Sequence, residues 1–299
     1  MSSSLESAVD QYRKDGFLIR RGFFAREVAL LQDLIDREGA RLLALEDITI
    51  DASGREASIL GYLGRGEDVV ASFANTERLV NLVKELLGGD IYLLKGKMNV
   101  KWGAAEPKRC GGWDPHQDRA AWAKEGLPGK DTLSVAIAID RADTDNGTVE
   151  VLPGSHADGI VEHSAIGNGY GIPESTYRQL RDRHGGMPAI MDAGDVLLFS
   201  GDLVHLSPPN LSDRRRAVLF LTFNTLANSP ARGVGPSRYH CTEALQPRDD
   251  GVLAKLADDF EAGRYRPELD WDAIRDEREA DIREGIDSGW TGVTPTLHT

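Results

Sequence analysis

The hydrophobic period of this chain changes near residue 90, and that change restricts the folds open to it more than any other feature of the sequence. Upstream, apolar residues recur three and four apart, as they do on the buried face of a helix. The stretches "SLESAVDQYRKDG" (4–16), "AREVALLQDLIDREGARLLAL" (25–45) and "NTERLVNLVKELLGG" (75–89) read as helices, the last closing on a Gly pair suited to a C-cap. The short apolar run "FLIRRGFF" (17–24) is the expected early strand. Downstream the apolar runs shorten: "DIYLLKGKMNVKW", "DTLSVAIAID", "GTVEVLPG", "PAIMDAGDVLLFSGDLVHLS" and "RAVLFLTFN" are rich in Val, Ile, Leu, Phe and Thr and are parted by Gly, Pro, Asp and Asn. Strands broken by turns after a helical prelude predict an α+β fold, a sandwich or barrel buttressed by helices.

The expected architecture is a single domain over 1–299. Helical support (1–90) packs against a double-stranded β-helix, or jelly-roll, core (91–228), followed by a C-terminal helical extension (229–299). Two connections interrupt the core, 103–115 ("GAAEPKRCGGWDP") and 157–186, and long connections in compact domains are often lids or binding loops. Near the end, "DWDAIRDEREADIREGID" reads as a charged, solvent-facing helix. Composition narrows the partners: a formal net charge of -13 repels nucleic acid and anionic membrane surfaces, so neither is expected and a small molecule is. No run is apolar for long enough to span a bilayer, and the first residues lack the apolar core of a secretory signal, which predicts a cytoplasmic protein. Its two cysteines, Cys110 and Cys241, belong to no zinc-like cluster and are expected as free thiols.

Chemistry enters with "WDPHQD" (113–118). If this segment is extended, His116 and Asp118 leave the strand on the same face and can touch one metal ion. An HxD pair alone is a weak signal, equally at home in a polar turn. A second histidine, His205, closes an apolar stretch before a Pro-rich turn. Two histidines and one carboxylate, with coordination positions left open, is the donor set of non-haem Fe(II) oxygenases, whereas structural zinc takes four protein ligands. Ser207 shares a strand face with His205, and the strand beginning at Arg216 is expected to return antiparallel beside them, where a guanidinium and a hydroxyl can grip a carboxylate.

Taken in order, "YRKDGFLIRRGFF" (12–24), "WDPHQD", "DNGTVEVLPGSH" (145–156) and "HLSPPNLSDRRR" (205–216) resemble the phytanoyl-CoA dioxygenase family of Fe(II)- and 2-oxoglutarate-dependent oxygenases, over roughly residues 10–225. The resemblance implies that His116, Asp118 and His205 hold the iron. It implies that Arg216, aided by Ser207, binds the distal carboxylate of 2-oxoglutarate, and that Asn99 and Gln117 contact this cosubstrate. The implied reaction consumes O2, releases succinate and CO2, and hydroxylates an unactivated C–H bond of a small polar metabolite of amino acid, zwitterion or aminophosphonate type; acyl-CoA and secondary metabolites are the alternatives. Halogenating relatives lack the carboxylate ligand; Asp118 argues against that chemistry.

Each residue also has a structural reading. Arg214 and Arg216 face alike on a strand, so only the family spacing selects Arg216 from the run. His156 fits a turn, and His163, His184, His240 and His298 fit the surface. Trp113 and Trp122 suit either a pocket wall or the core, and Gly147 and Gly154 serve turn geometry. A patch of Lys95, Lys97, Lys101, Lys108 and Arg109 is available for a phosphate-rich partner such as CoA. Two rivals remain: a non-catalytic jelly-roll binding protein, and a cupin-type metal hydrolase or isomerase, which has no use for Arg216.

Overall fold

A computed structural model describes residues 2–45, 47–64, 66–103, 106–166, 169–235 and 239–284. His298 and the end of the C-terminal extension lie outside the described residues. The N-terminal part runs α1 (Ser2–Asp15), β1 (Phe17–Arg20), α2 (Ala29–Leu45), β2 (Asp47–Ile50), β3 (Glu56–Ile59), α3 (Val69–Ala74) and α4 (Glu77–Leu87). There follow β4 (Ile91–Lys101), β5 (Trp113–His116), α5 (Asp118–Lys124), β6 (Thr132–Ala138), β7 (Glu150–Val151), β8 (Ser164–Ile166), β9 (Gly169–Gly171) and α6 (Glu174–His184). The chain then continues through β10 (Met187–Pro188), β11 (Val196–Ser200), β12 (His205–Ser207), β13 (Arg216–Thr225), α7 (Asp250–Glu261) and α8 (Trp271–Arg283).

Two antiparallel sheets carry the site. The larger has the order β1-β11-β6-β13-β4 and the smaller β10-β7-β12-β5. Strand alternation decides what each face of the larger sheet does. Leu133, Val135 and Ile137 of β6, Val196 and Leu198 of β11, and Ala217, Leu219, Leu221 and Phe223 of β13 point to one side, where they form a core with Leu31, Leu34 and Ile35 of α2 and Val80 and Val83 of α4. Ala136, Leu197, Phe199 and Val218 point to the other and meet Val149 and Val151 near the smaller sheet. The interior between the sheets is thus apolar at one end. Further along β4 and β13, the same inward register carries Lys97, Asn99, Lys101 and Arg216. Gly88, at the end of α4, adopts φ 75°, the left-handed conformation that the Gly pair allows.

Several expectations need correction. The strand expected through "PHQD" ends at His116, and Asp118 opens a helix; Gln117 between them is extended (φ -122°, ψ 123°), which is why the two side chains still converge. β13 does not return beside β12. Pro208 and Pro209, which have no N–H to give a ladder, end β12, and the chain crosses to pair with β4 and β6 of the larger sheet. The 157–186 interruption is ordered by a β8–β9 hairpin and α6. The hairpin β2–β3 and helix α3 lacked a legible period in the sequence because they are only one turn or a few residues long. α8 is not solely solvent-facing: Ile274 is buried in the main core and Arg278 pairs with Asp47 at 3.1 Å. Both cysteines are free. No helix among the described residues is long and apolar enough to cross a membrane.

Candidate metal centre and anion site

His116 and His205 sit directly opposite one another on the antiparallel β5–β12 ladder, with ring centroids 4.1 Å apart. Residues remote in sequence are brought together by a bolt just outside this pair. Arg119 on α5 grips Asp202 through Nε and Nη2 (2.5 and 3.0 Å), its backbone N–H donates to Gly201 O, and the Gln117 side chain donates to Asp202 O at 2.6 Å. The start of α5 and the turn into β12 are therefore tied together. Within it, one potential ligand atom from each of His116, Asp118 and His205 lies within 4.8 Å of the others, and all three residues are buried. The cluster is of a size that a single ion can occupy.

The protonation of this cluster is set by its neighbours. His116 Nδ1 contacts Asp114 O at 2.6 Å and His205 Nδ1 contacts Leu203 O at 3.0 Å. A carbonyl can only accept, so each Nδ1 carries the proton and each Nε2 keeps its lone pair free for a metal. Burial pushes the pKa of both imidazoles down, His116 further because His205 faces it. Burial alone would raise that of Asp118, but the Lys97 ammonium, 3.6 Å from Oδ1, and the two imidazoles bring it down to about 2. Ser134 donates to Asp118 Oδ2 at 3.0 Å and exchanges a second bond with Thr222 Oγ1, which leaves Oδ1 facing the histidines. Two neutral imidazoles and one carboxylate are ready to bind a divalent cation without releasing a proton.

The pocket above these residues runs from the cluster to Arg216. Arg216 is fully buried. Its Nη1 donates to Asn99 Oδ1 at 2.6 Å and its Nη2 to Ser207 Oγ at 2.7 Å; its Nε is buried with no partner. Both fixed bonds go to neutral oxygens, and burial lowers the guanidinium pKa to about 10. A buried cation held by neutral groups is an incomplete ion pair, and a carboxylate entering the pocket would complete it. Arg214 and Arg215, by contrast, bridge Asp143 and Asp140 outside the pocket.

Other expected site residues fall into place or out of it. Asn99 lines the pocket and fixes Arg216, and its Nδ2 is spent on Ser58 O at 2.5 Å. Gln117 donates to Gly159 O and Asp202 O and accepts from Val161 N, so its amide pins loops and is not among the residues lining the pocket. His163 is corrected: half-buried, it accepts from Gln117 N at 3.0 Å and stacks on Tyr170. His156 packs in a turn, its Nε2 3.1 Å from Arg13 O. Trp113 walls the pocket, whereas Trp122 is buried in the core with Tyr92 and Tyr239. The lysine patch does not form: Lys101 is buried, Lys97 turns into the pocket, and Lys95 pairs with Glu125. Ser134, Arg119 and Asp202 escaped the sequence reading, and Lys101 entered it only as a member of the surface patch. Only Lys101 left a trace there, since "KGKMNVK" places Lys97, Asn99 and Lys101 on one strand face.

This donor set is the one that non-haem Fe(II) oxygenases use. Residues 12–218 match the phytanoyl-CoA dioxygenase (PhyH) family, and the chain belongs to that family. It is similar to the L-proline trans-4-hydroxylase of Streptomyces griseoviridis, 28% identical over 253 residues that make up 79% of this chain and 92% of that protein. It is also similar to the ectoine dioxygenase of Bordetella bronchiseptica, 27% identical over 265 residues, 83% of this chain and 82% of the other. Among solved structures, EctD from S. alaskensis with bound Fe superposes with a TM-score of 0.63 at 25% identity, covering 81% of this chain and 86% of that one.

Proposed function

We propose that this protein is an Fe(II)- and 2-oxoglutarate-dependent dioxygenase that hydroxylates a C–H bond of a small polar metabolite, with His116, Asp118 and His205 as iron ligands and Arg216 as the anchor of the cosubstrate's distal carboxylate. The observation that carries the reading is the pairing of unlike ends in one pocket: a neutral-imidazole and carboxylate cluster at one, and a buried guanidinium held by neutral partners at the other. A metal-dependent hydrolase has no need of the second end, and a simple binding protein has no need of the first. In chain order, β4, β5, β6 and β7 alternate between the larger and smaller sheets, β10 follows β7 in the smaller, and β11, β12 and β13 alternate again, in keeping with a double-stranded β-helix.

The residues present fit the cofactor. The two free Nε2 lone pairs and Asp118 Oδ1 suit iron while leaving coordination positions open. Bound there, Fe(II) with 2-oxoglutarate supplies the oxidising power: O2 is consumed, 2-oxoglutarate leaves as succinate and CO2, and one oxygen atom enters the substrate. The chain supplies position and exclusion of water. Ser134 and Lys97 hold Asp118 ionised, the backbone carbonyls of Asp114 and Leu203 fix the imidazole tautomers, and Arg216 with Asn99 sets the depth at which a keto diacid seats. Ile59, Trp113 and Phe220 wall the remaining space, and Lys97 offers it an ammonium. The burial of Lys101 and the pairing of Lys95 with Glu125 leave no surface lysine patch there, which favours a small polar metabolite over acyl-CoA.

Anaerobic titration of the metal-free protein with Fe(II) and 2-oxoglutarate tests this directly. A weak visible charge-transfer band is expected, and Asp118→Ala and Arg216→Met should each lose it. Absence of the band in wild type, with no succinate formed across amino acids, zwitterions and aminophosphonates, would overturn the assignment.

A further inference from the structure

Lys101 and Arg216 are direct cross-strand partners on β4 and β13, and both are fully buried. Like charges placed opposite one another on a sheet repel, and neither finds a carboxylate within ion-pair distance among the described residues. Such a pair persists only if something else is gained. The Lys101 Nζ donates to Ser207 Oγ at 2.7 Å, to Ser207 O at 3.1 Å, to Gly147 O at 3.3 Å and to Pro208 O. It sits behind Ser207 and does not line the pocket.

The hydroxyl of Ser207 links the two cations. A serine offers one proton and two lone pairs. The proton goes to Gly147 O at 2.8 Å, one lone pair accepts from Lys101 and the other from Arg216 Nη2 at 2.7 Å, so every valence of the oxygen is committed. Burial and the facing Arg216 charge lower the Lys101 pKa; in its ammonium form Lys101 can only donate, and it then holds the hydroxyl proton away from its own side and keeps a lone pair on Arg216. Gly147 completes the lock. It adopts φ +74°, and a Cβ there would lie 2.1 Å from Pro208 O and 3.1 Å from Lys101 Nζ, so no larger residue leaves room for this contact.

We propose that Lys101 is a positioning residue for cosubstrate binding: through the Ser207 hydroxyl it holds Arg216 in the orientation that receives the distal carboxylate of a keto diacid. This inference rests on the 2-oxoglutarate reading given above. The two are separable, because a ligand that chelates the metal without extending to Arg216 ignores Lys101.

Calorimetric titration of the manganese-loaded protein with 2-oxoglutarate, and separately with oxalate, supplies the test. Lys101→Met is expected to weaken 2-oxoglutarate by about tenfold and to leave oxalate within about twofold of wild type. In a Ser207→Ala background the same substitution should add less than about twofold, because the link it acts through is already gone. Unchanged 2-oxoglutarate affinity in Lys101→Met overturns the proposal. So does a loss shared equally by oxalate, or one that multiplies in full with Ser207→Ala, since a merely structural lysine would behave in these ways. Should Lys101→Met not fold, Lys101→Gln carries the same test with an amide that still donates, and it should bind 2-oxoglutarate more tightly than Ser207→Ala does. Failure of the wild type to bind 2-oxoglutarate while binding oxalate would instead bring down the cosubstrate reading.

Discussion

At one end of the pocket the polar atoms are satisfied in advance: both histidine Nδ1 atoms have a backbone carbonyl, and Asp118 has Ser134 and Lys97. At the other end, two buried cations face each other across a strand pair and share a single hydroxyl. The first end is complete but for a cation, and its ligands hold the charge states that metal binding needs. The second holds its guanidinium with neutral oxygens only and has no carboxylate within ion-pair distance among the described residues. The contrast teaches that order of assembly is written into the charges. On the proposed reading the metal end binds its ion unaided, and the cation end acts once a diacid spans the two.

The strongest way to break this comparison is at the metal end. Asp118→Ala or His205→Ala should reduce substrate-dependent succinate formation by about 10³-fold or more. A smaller loss would mean that the three residues are not the ligands. At the other end, Arg216→Met should weaken 2-oxoglutarate by about a hundredfold. Because it removes an unbalanced buried charge, the ligand-free variant should melt no more than about 2 °C below wild type. A deep drop in melting temperature would show that the guanidinium is balanced after all.

Smaller effects sharpen the distinction. Ser134→Ala removes the hydroxyl that turns Asp118 Oδ1 toward the histidines, and the affinity for iron should fall about tenfold with 2-oxoglutarate affinity at saturating metal unchanged. Loss of cosubstrate affinity alone would contradict it. The last prediction concerns pH. His116 and His205 have folded pKa values below the ordinary imidazole value, so below pH about 6.5 the unfolded chain takes up protons that the folded chain refuses. The metal-free protein should therefore lose stability as pH falls from 6.5. Asp118, lowered to about 2, holds its own contribution above pH about 4 and loses it as pH falls through 2. Melting curves of wild type and His116→Gln between pH 7 and 5 check this, and equal slopes for the two would remove the histidine from the explanation.

The difference between the ends also marks what could be read without coordinates. The HxD pair and His205 were legible because strand alternation acts over two residues and chemistry names the types. Asn99 was legible as a site residue, but its work is to brace Arg216. Gln117 was not legible, because its place between two candidate ligands says nothing about where its amide turns. Three backbone groups from segments far along the chain consume it. Lys101 was counted in a surface patch, since a lysine in sequence carries no sign of burial.

By itself the sequence determined the switch from helix to strand near residue 90 and the residue types a metal and a diacid require. These depend on local periodicity and side-chain chemistry, which span a few residues. Only the tertiary structure decided that His116 and His205 are ladder partners, that Arg216 reaches Ser207 from the opposite sheet, and that Lys101 lies buried behind it. Those facts depend on which distant segments pair and on how much water they exclude. Neither register nor burial between remote strands is encoded in any short stretch of chain.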